Sequence, residues 1–60
     1  MSHDARLAAL GEAIKSVGND DLRYAIGETL RGLGYIDFAD FADANPPAGH
    51  IATMETLLSQ

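Results

Sequence analysis

Three aspartates are the first residues in this chain of 60 whose type and spacing could bind a metal ion. Asp37, Asp40 and Asp43 recur at every third position, which would place them along one side of a helix. Carboxylate oxygens are the ligands that Mg²⁺ and Ca²⁺ prefer. The segment lacks the glycine turn and the distal glutamate of a Ca²⁺-binding loop. We therefore interpret the row as a solvated acidic surface that could contact a partner, and we expect neither a metal nor a cofactor.

The other groups with catalytic potential stand apart from one another. Neither His3 nor His50 belongs to a His-x-x-x-His or Glu-x-x-His pattern, and the serines lie outside a nucleophile elbow. Gly32-Leu33-Gly34 follows a predicted helix instead of preceding one, so it does not form a phosphate-binding loop. The sequence therefore predicts no catalytic residue and a protein that is not an enzyme.

A second candidate surface lies on the predicted helix over 20–33. Its apolar stripe should leave a polar opposite side if that side meets only water. Instead, that side carries Tyr24, Gly27, Arg31 and Gly34. Tyrosine and arginine are enriched at interface hot spots, and a glycine leaves a notch beside them. We predict that this side contacts a partner, whereas Gly11, near the edge of the first helix's stripe, should serve an internal helix crossing.

The elements that must position these residues are all predicted to be helices. Apolar residues recur at spacings of three and four, which predicts helices over about 4–17, 20–33, 37–44 and 47–58. Gly18 and Gly34 should end the first two helices, and Asn45-Pro46-Pro47 should break the chain before the last. We predict an all-α fold in one domain, residues 1–60: a small bundle of three to four short helices built on an antiparallel helical hairpin. Its expected core is Leu7, Leu10, Ile14, Val17, Leu22, Ile26, Leu30, Leu33, Phe38, Met54 and Leu58.

Size and composition limit the classes of protein further. A chain this short buries only about 60% of its unfolded surface, so its stability margin is thin. It has no cysteine, which excludes disulfides and thiolate zinc sites and fits a reducing compartment. No apolar run reaches the length of a signal peptide core or the roughly 20 residues of a membrane span. We expect a cytoplasmic protein without a membrane partner.

Charge is spread unevenly along the chain. The formal net charge is −5. Residues 1–34 carry five acidic and four basic side chains, whereas residues 35–60 carry four acidic and no basic ones. A half of charge −4 disfavours the phosphates of nucleic acid and is compatible with a basic protein partner.

One segment, Leu30-Arg31-Gly32-Leu33-Gly34-Tyr35-Ile36, loosely resembles the point at which the recognition helix of a winged-helix regulator runs into its wing. It departs from that family because no alternating strands follow and no basic cluster accompanies it.

Three functions remain as hypotheses. The first is a small interaction or structural subunit that docks on a larger protein or assembly, or on a second copy of itself. The second is an acidic inhibitor that occupies a basic, nucleic-acid-binding surface of another protein. The third is a DNA-binding transcriptional regulator, which the charge disfavours most.

Overall fold

Four helices and no strand make up the computed structural model, which describes residues 2–59. The helices are α1 (His3–Lys15), α2 (Asp20–Leu33), α3 (Phe38–Asp43) and α4 (Ala48–Leu58). The all-α class and the small helical bundle predicted from the sequence are therefore confirmed. Within the described residues, no helix is long and apolar enough to cross a membrane.

Side-chain caps start three of the helices. Ser2, Asn19 and Asp37 each accept a hydrogen bond from the backbone N–H three residues further on, at 3.1, 3.0 and 2.9 Å. Each bond satisfies one of the amide groups that the first turn of a helix leaves without a partner. Pro47 precedes α4 without such a bond. The starts of α1, α2 and α3 are thus set by local polar chemistry.

The end of α2 is a left-handed turn at Gly34. Its φ of 104° is a conformation that side chains with a Cβ rarely adopt. The N–H of Tyr35 donates to the carbonyl of Leu30 at 3.0 Å, and the N–H of Gly34 donates to the carbonyl of Arg31 at 3.1 Å. This pair of bonds is the Schellman motif, which satisfies the last carbonyls and turns the chain back toward the core.

Helix α4 lies at the centre of the packing. It packs against both α1 and α2, and each of these packs more extensively on α4 than on the other. The apolar stripes predicted for the first two helices therefore meet largely on a third element. The buried core consists of Leu10, Ile26, Leu30, Phe41, Ile51 and Met54.

The core differs from the expected one at α3 and α4. Phe41 and Ile51 were not expected in the core but are fully buried, and Phe38 was expected there but is only half-buried. Phe38 is the first residue after the cap of α3 and lies at the surface against α1. Phe41 lies one turn further in, and its ring packs edge-on against Tyr35 with centroids 4.9 Å apart. Leu7, Ile14, Val17, Leu22, Leu33 and Leu58, also expected in the core, are half-buried and pack against it.

An ion pair joins α1 to α4 across 49 residues of sequence. The guanidinium of Arg6 donates from Nη2 to Glu55 Oε1 at 2.6 Å and from Nε to Oε2 at 3.3 Å. The hydrogen bond from Arg6 lowers the pKa of the Glu55 carboxyl, and the same bond raises the pKa of Arg6. Two parallel bonds fix the relative orientation of the two helices as well as their distance.

This ion pair predicts how stability should change in acid. The pKa of Glu55 is lowered from an ordinary value of 4.5, so near that pH the unfolded chain binds the proton more readily than the folded chain. The contribution of the pair is present above that pH and is lost as the pH falls through the lowered pKa. Thermal melts between about pH 3 and 6 should therefore show a shallower acid loss in Glu55→Gln than in the wild type. Glu12→Gln, which removes an exposed pair within α1, is the control, and an unaltered acid slope in Glu55→Gln would contradict this account.

The packing around α4 makes Leu30 a sensitive position. Leu30 is 2% exposed in the middle of the core, so Leu30→Ala should destabilise the protein by about 2–4 kcal/mol through lost burial and a residual cavity. Circular dichroism melts measure this loss. Ile36→Ala is the control, because Ile36 is 77% exposed and should change the melting temperature little. Equal effects of the two substitutions would show that burial does not determine the stability of this fold.

Candidate partner-binding surface

One helical face brings most of the second predicted surface together. Tyr24 lies three and four residues before Gly27 and Glu28, and Arg31 lies four and three residues after them, so the four share a side of α2 that faces away from its buried residues. We call these four residues the α2 outer face. Tyr24 is 69% exposed, although it is among the larger side chains of the chain. An exposed aromatic ring on a polar helix face is the feature that distinguishes this surface from an ordinary solvated one.

The guanidinium of Arg31 is held in a defined position on this face. Its Nη2 donates to Glu28 Oε1 at 2.8 Å, one helical turn earlier in the chain. The hydrogen bond with Glu28 is the main reason that the pKa of Arg31 is raised. A Cβ placed on Gly27 would lie 3.6 Å from the same Nη2 and near no other element. The planar cation therefore lies beside the notch left by Gly27, still 57% exposed at its side chain.

Two other glycines are required by the packing or the backbone of the chain itself. A Cβ placed on Gly11 would lie 3.2 Å from Cε2 of Phe38, so the glycine lets the aromatic ring approach the backbone of α1. This contact agrees with the internal role expected for Gly11. Gly34, which the sequence predicted to belong to the binding surface, is required by the left-handed turn that ends α2. Gly27 has neither a positive φ nor a close neighbour from another element.

The acidic row has a different geometry from the one expected. Asp37 precedes α3 instead of lying on it, and its Oδ1 accepts the N–H of Asp40. Asp40 Oδ2 in turn accepts the N–H of Ile36 at 3.1 Å. These reciprocal bonds resemble a capping box, in which two carboxylates satisfy the amides around a helix start. Asp43 is exposed at the other end of α3, so the three side chains do not form one row along a helix.

The described residues 2–59 contain no group of three carboxylate or imidazole side chains placed to hold a metal ion. His50 is instead engaged with Tyr35, whose Oη lies 2.8 Å from Nδ1 in a hydrogen bond. This bond ties the start of α4 to the segment that follows α2. Sequence reasoning missed it, because two residues 15 apart with no shared pattern carry no local signal.

A groove between α1 and α3 was also missed. It has a volume of about 520 Å³, and its apolar lining consists of Leu7, Ala8, Gly11, Ile14, Phe38 and Ala42. We call it the α1–α3 groove. The only sequence signal for it was Gly11 at the edge of the stripe of α1, which indicated a close approach without saying which element approaches.

Comparison with known proteins gives no match: no protein-family model fits the chain, and no curated protein or solved structure is significantly similar to it. Function is therefore inferred from the side chains and surfaces described above.

The environment of Gly27 predicts a stabilising substitution. Gly27→Ala removes the cost of about 1 kcal/mol that a glycine adds inside a helix, and the new methyl group meets only ordinary contact with Arg31. The melting temperature should rise by roughly 4–8 °C in a domain of this size. Gly11→Ala is the matched control and should gain less, because its methyl group would press on the ring of Phe38. A melting temperature that falls in Gly27→Ala would mean that the fold itself requires this glycine.

Proposed function

We propose that this protein is a non-enzymatic interaction subunit that docks on a larger protein or assembly through the α2 outer face. The observation that carries the proposal is the exposed ring of Tyr24 beside a helical glycine that no intrachain contact requires. The same proposal includes a cytoplasmic location, which the cysteine-free sequence fits.

Gly27 supports this proposal energetically. A glycine in the interior of a helix costs about 1 kcal/mol relative to alanine, which is a large cost for a domain with so small a core. If the α2 outer face met only water, alanine would fold better at this position. A partner that approaches the backbone of α2 would explain the glycine, because the absence of a Cβ leaves space for the partner.

Tyr24 and Arg31 supply the chemistry of the contact. A tyrosine offers a large, stiff apolar body with a polar tip, so it buries much surface while losing little conformational freedom. Arg31 offers a planar, weakly hydrated cation that can pair with a carboxylate or stack on a ring. Because Glu28 already orients the guanidinium, less freedom is lost when a partner binds it.

The acidic-inhibitor hypothesis receives less support. It rests on the four carboxylates of residues 35–60, and three of them have intrachain roles. Asp37 and Asp40 bind the backbone around the start of α3, and Glu55 binds Arg6. These contacts account for the positions of the three carboxylates, so a basic target is not needed to explain them. Likewise, the charge of the chain supports no contact with DNA.

Two substitutions test the α2 outer face. Tyr24→Ala should weaken association by roughly 5- to 150-fold, which corresponds to about 1–3 kcal/mol, while helicity stays near that of the wild type. Gly27→Leu should block docking by filling the notch, although leucine favours the isolated helix. Affinity capture from the native source with wild-type bait identifies the partner, and titration calorimetry with the purified partner measures each variant. Light scattering measures self-association in parallel.

Two controls make the result specific. Tyr24→Phe keeps the ring and should retain most of the affinity. Ala52→Leu introduces the same side chain as Gly27→Leu at an exposed position on α4, and it should leave binding unchanged. Wild-type affinity in both Tyr24→Ala and Gly27→Leu would mean that the α2 outer face only meets solvent.

A further inference from the structure

The positions of the α2 outer face are symmetric about the midpoint between Gly27 and Glu28. Tyr24 lies three residues before Gly27, and Arg31 lies three residues after Glu28. If α2 packs in the antiparallel direction against α2 of a second copy, a two-fold axis at this midpoint places Tyr24 of each copy opposite Arg31 of the other. It likewise places Gly27 of each copy opposite Glu28 of the other. Because any helix offers positions with this spacing, the chemistry of the opposed residues decides whether the pair is favourable.

The residues that this axis opposes are chemically complementary. Tyr24 is 69% exposed and the side chain of Arg31 is 57% exposed, so both are accessible to a second copy. A guanidinium stacks favourably on an aromatic ring, and the two-fold axis makes this contact occur twice. At the centre of the face, the absence of a Cβ on Gly27 lets the two helices approach closely. The α2 outer face therefore fits its own copy in the reversed direction.

Charge at the α2 outer face also favours a second copy. The face presents one anion, Glu28, and one cation, Arg31, so it has no excess charge that would select a strongly acidic or basic partner. The guanidinium of Arg31 lies over Gly27, with Nη2 3.6 Å from the position of a Cβ there. Glu28 of a second copy, opposite Gly27, would therefore meet Arg31 while each Arg31 keeps its own Glu28. Helix α2 carries three acidic and two basic side chains, so most of the net charge of −5 lies elsewhere in the chain.

We propose that in the free protein the α2 outer face is covered by the same face of a second copy, with the two α2 helices antiparallel. This inference rests on the proposed function, because it assigns a regulation to the same surface: the two copies must separate before the subunit docks on its larger partner. Self-association then sets how much of the protein is free to dock. A contact made by one helix from each chain is small, so the dimer should be weak and should dissociate on dilution.

Sedimentation velocity of the whole chain, at concentrations up to about 500 µM to suit a small contact, measures this dimer. The wild type should shift from monomer to dimer as its concentration rises. Tyr24→Arg should weaken the dimer at least about tenfold, because it places two guanidinium groups opposite each other. The double variant Tyr24→Arg/Arg31→Tyr again places a ring opposite a guanidinium, and it should regain the wild-type affinity to within about threefold. Ala52→Arg adds the same cation at an exposed position on α4 and should dimerise as the wild type does.

The outcomes separate this proposal from the proposed function. A wild-type chain that stays monomeric at about 500 µM would overturn the dimer, whereas loss of the captured larger partner in Tyr24→Ala would still support the proposed function. A double variant that dimerises as poorly as Tyr24→Arg, with a wild-type circular dichroism melt, would overturn the antiparallel pairing, because that pairing brings positions 24 and 31 together. In a mixture, the double variant and the wild type should each pair with their own kind, since a mixed pair opposes ring to ring and guanidinium to guanidinium. Free exchange between the two would contradict the proposed contact.

Discussion

Burial of the inner side of α4 is the interaction on which the rest of the structure depends. Ile51 and Met54 are fully buried, and they come from α4, the helix that packs most extensively against both α1 and α2. The buried side chains in the described residues are the six of the core and Pro46, so there is no second core to hold the helices together. The ion pair of Arg6 with Glu55 and the hydrogen bond of Tyr35 with His50 both tie α4 to its neighbours. The long-range polar contacts thus reinforce the helix that carries the core.

A core this small requires that each helix be started and ended by local chemistry. The aspartates around α3 illustrate the consequence. Their spacing suggested a ligand set or a binding surface, yet two of them satisfy backbone amides at a helix start. A helix of six residues has too few internal hydrogen bonds to persist without such caps. Side chains that resemble a functional cluster in the sequence can therefore be the means by which a short helix exists at all.

Local signals in the sequence predicted the helices well and the contacts between them less well. The bounds of α2 agree with the prediction at both ends, because Asn19 and Gly34 provide a cap and a left-handed stop that depend only on neighbouring residues. By contrast, the exchange of Phe38 for Phe41 in the core depends on which side of the short helix α3 faces the bundle, and the two rings lie only about 60° apart around it. The pair of Arg6 with Glu55 and the α1–α3 groove arise only when distant segments meet, so no spacing in the sequence predicts them.

For the candidate surface, the sequence identified Tyr24, Gly27 and Arg31 as one face. It could not show that Gly34 is present because the left-handed turn at the end of α2 requires it.

The glycines show how structure can separate a requirement of folding from one of function. Gly34 is explained by its positive φ, and Gly11 by the ring of Phe38 at 3.2 Å from the position of a Cβ. In both cases a larger residue would disturb the chain's own packing or backbone. Gly27 lies in the interior of a regular helix, and its missing Cβ would touch only the end of a flexible side chain. Folding alone would favour alanine at that position, so neither the backbone nor the packing of the described residues explains the glycine. In the proposed function, a partner that approaches α2 beside the exposed ring of Tyr24 would offset this cost.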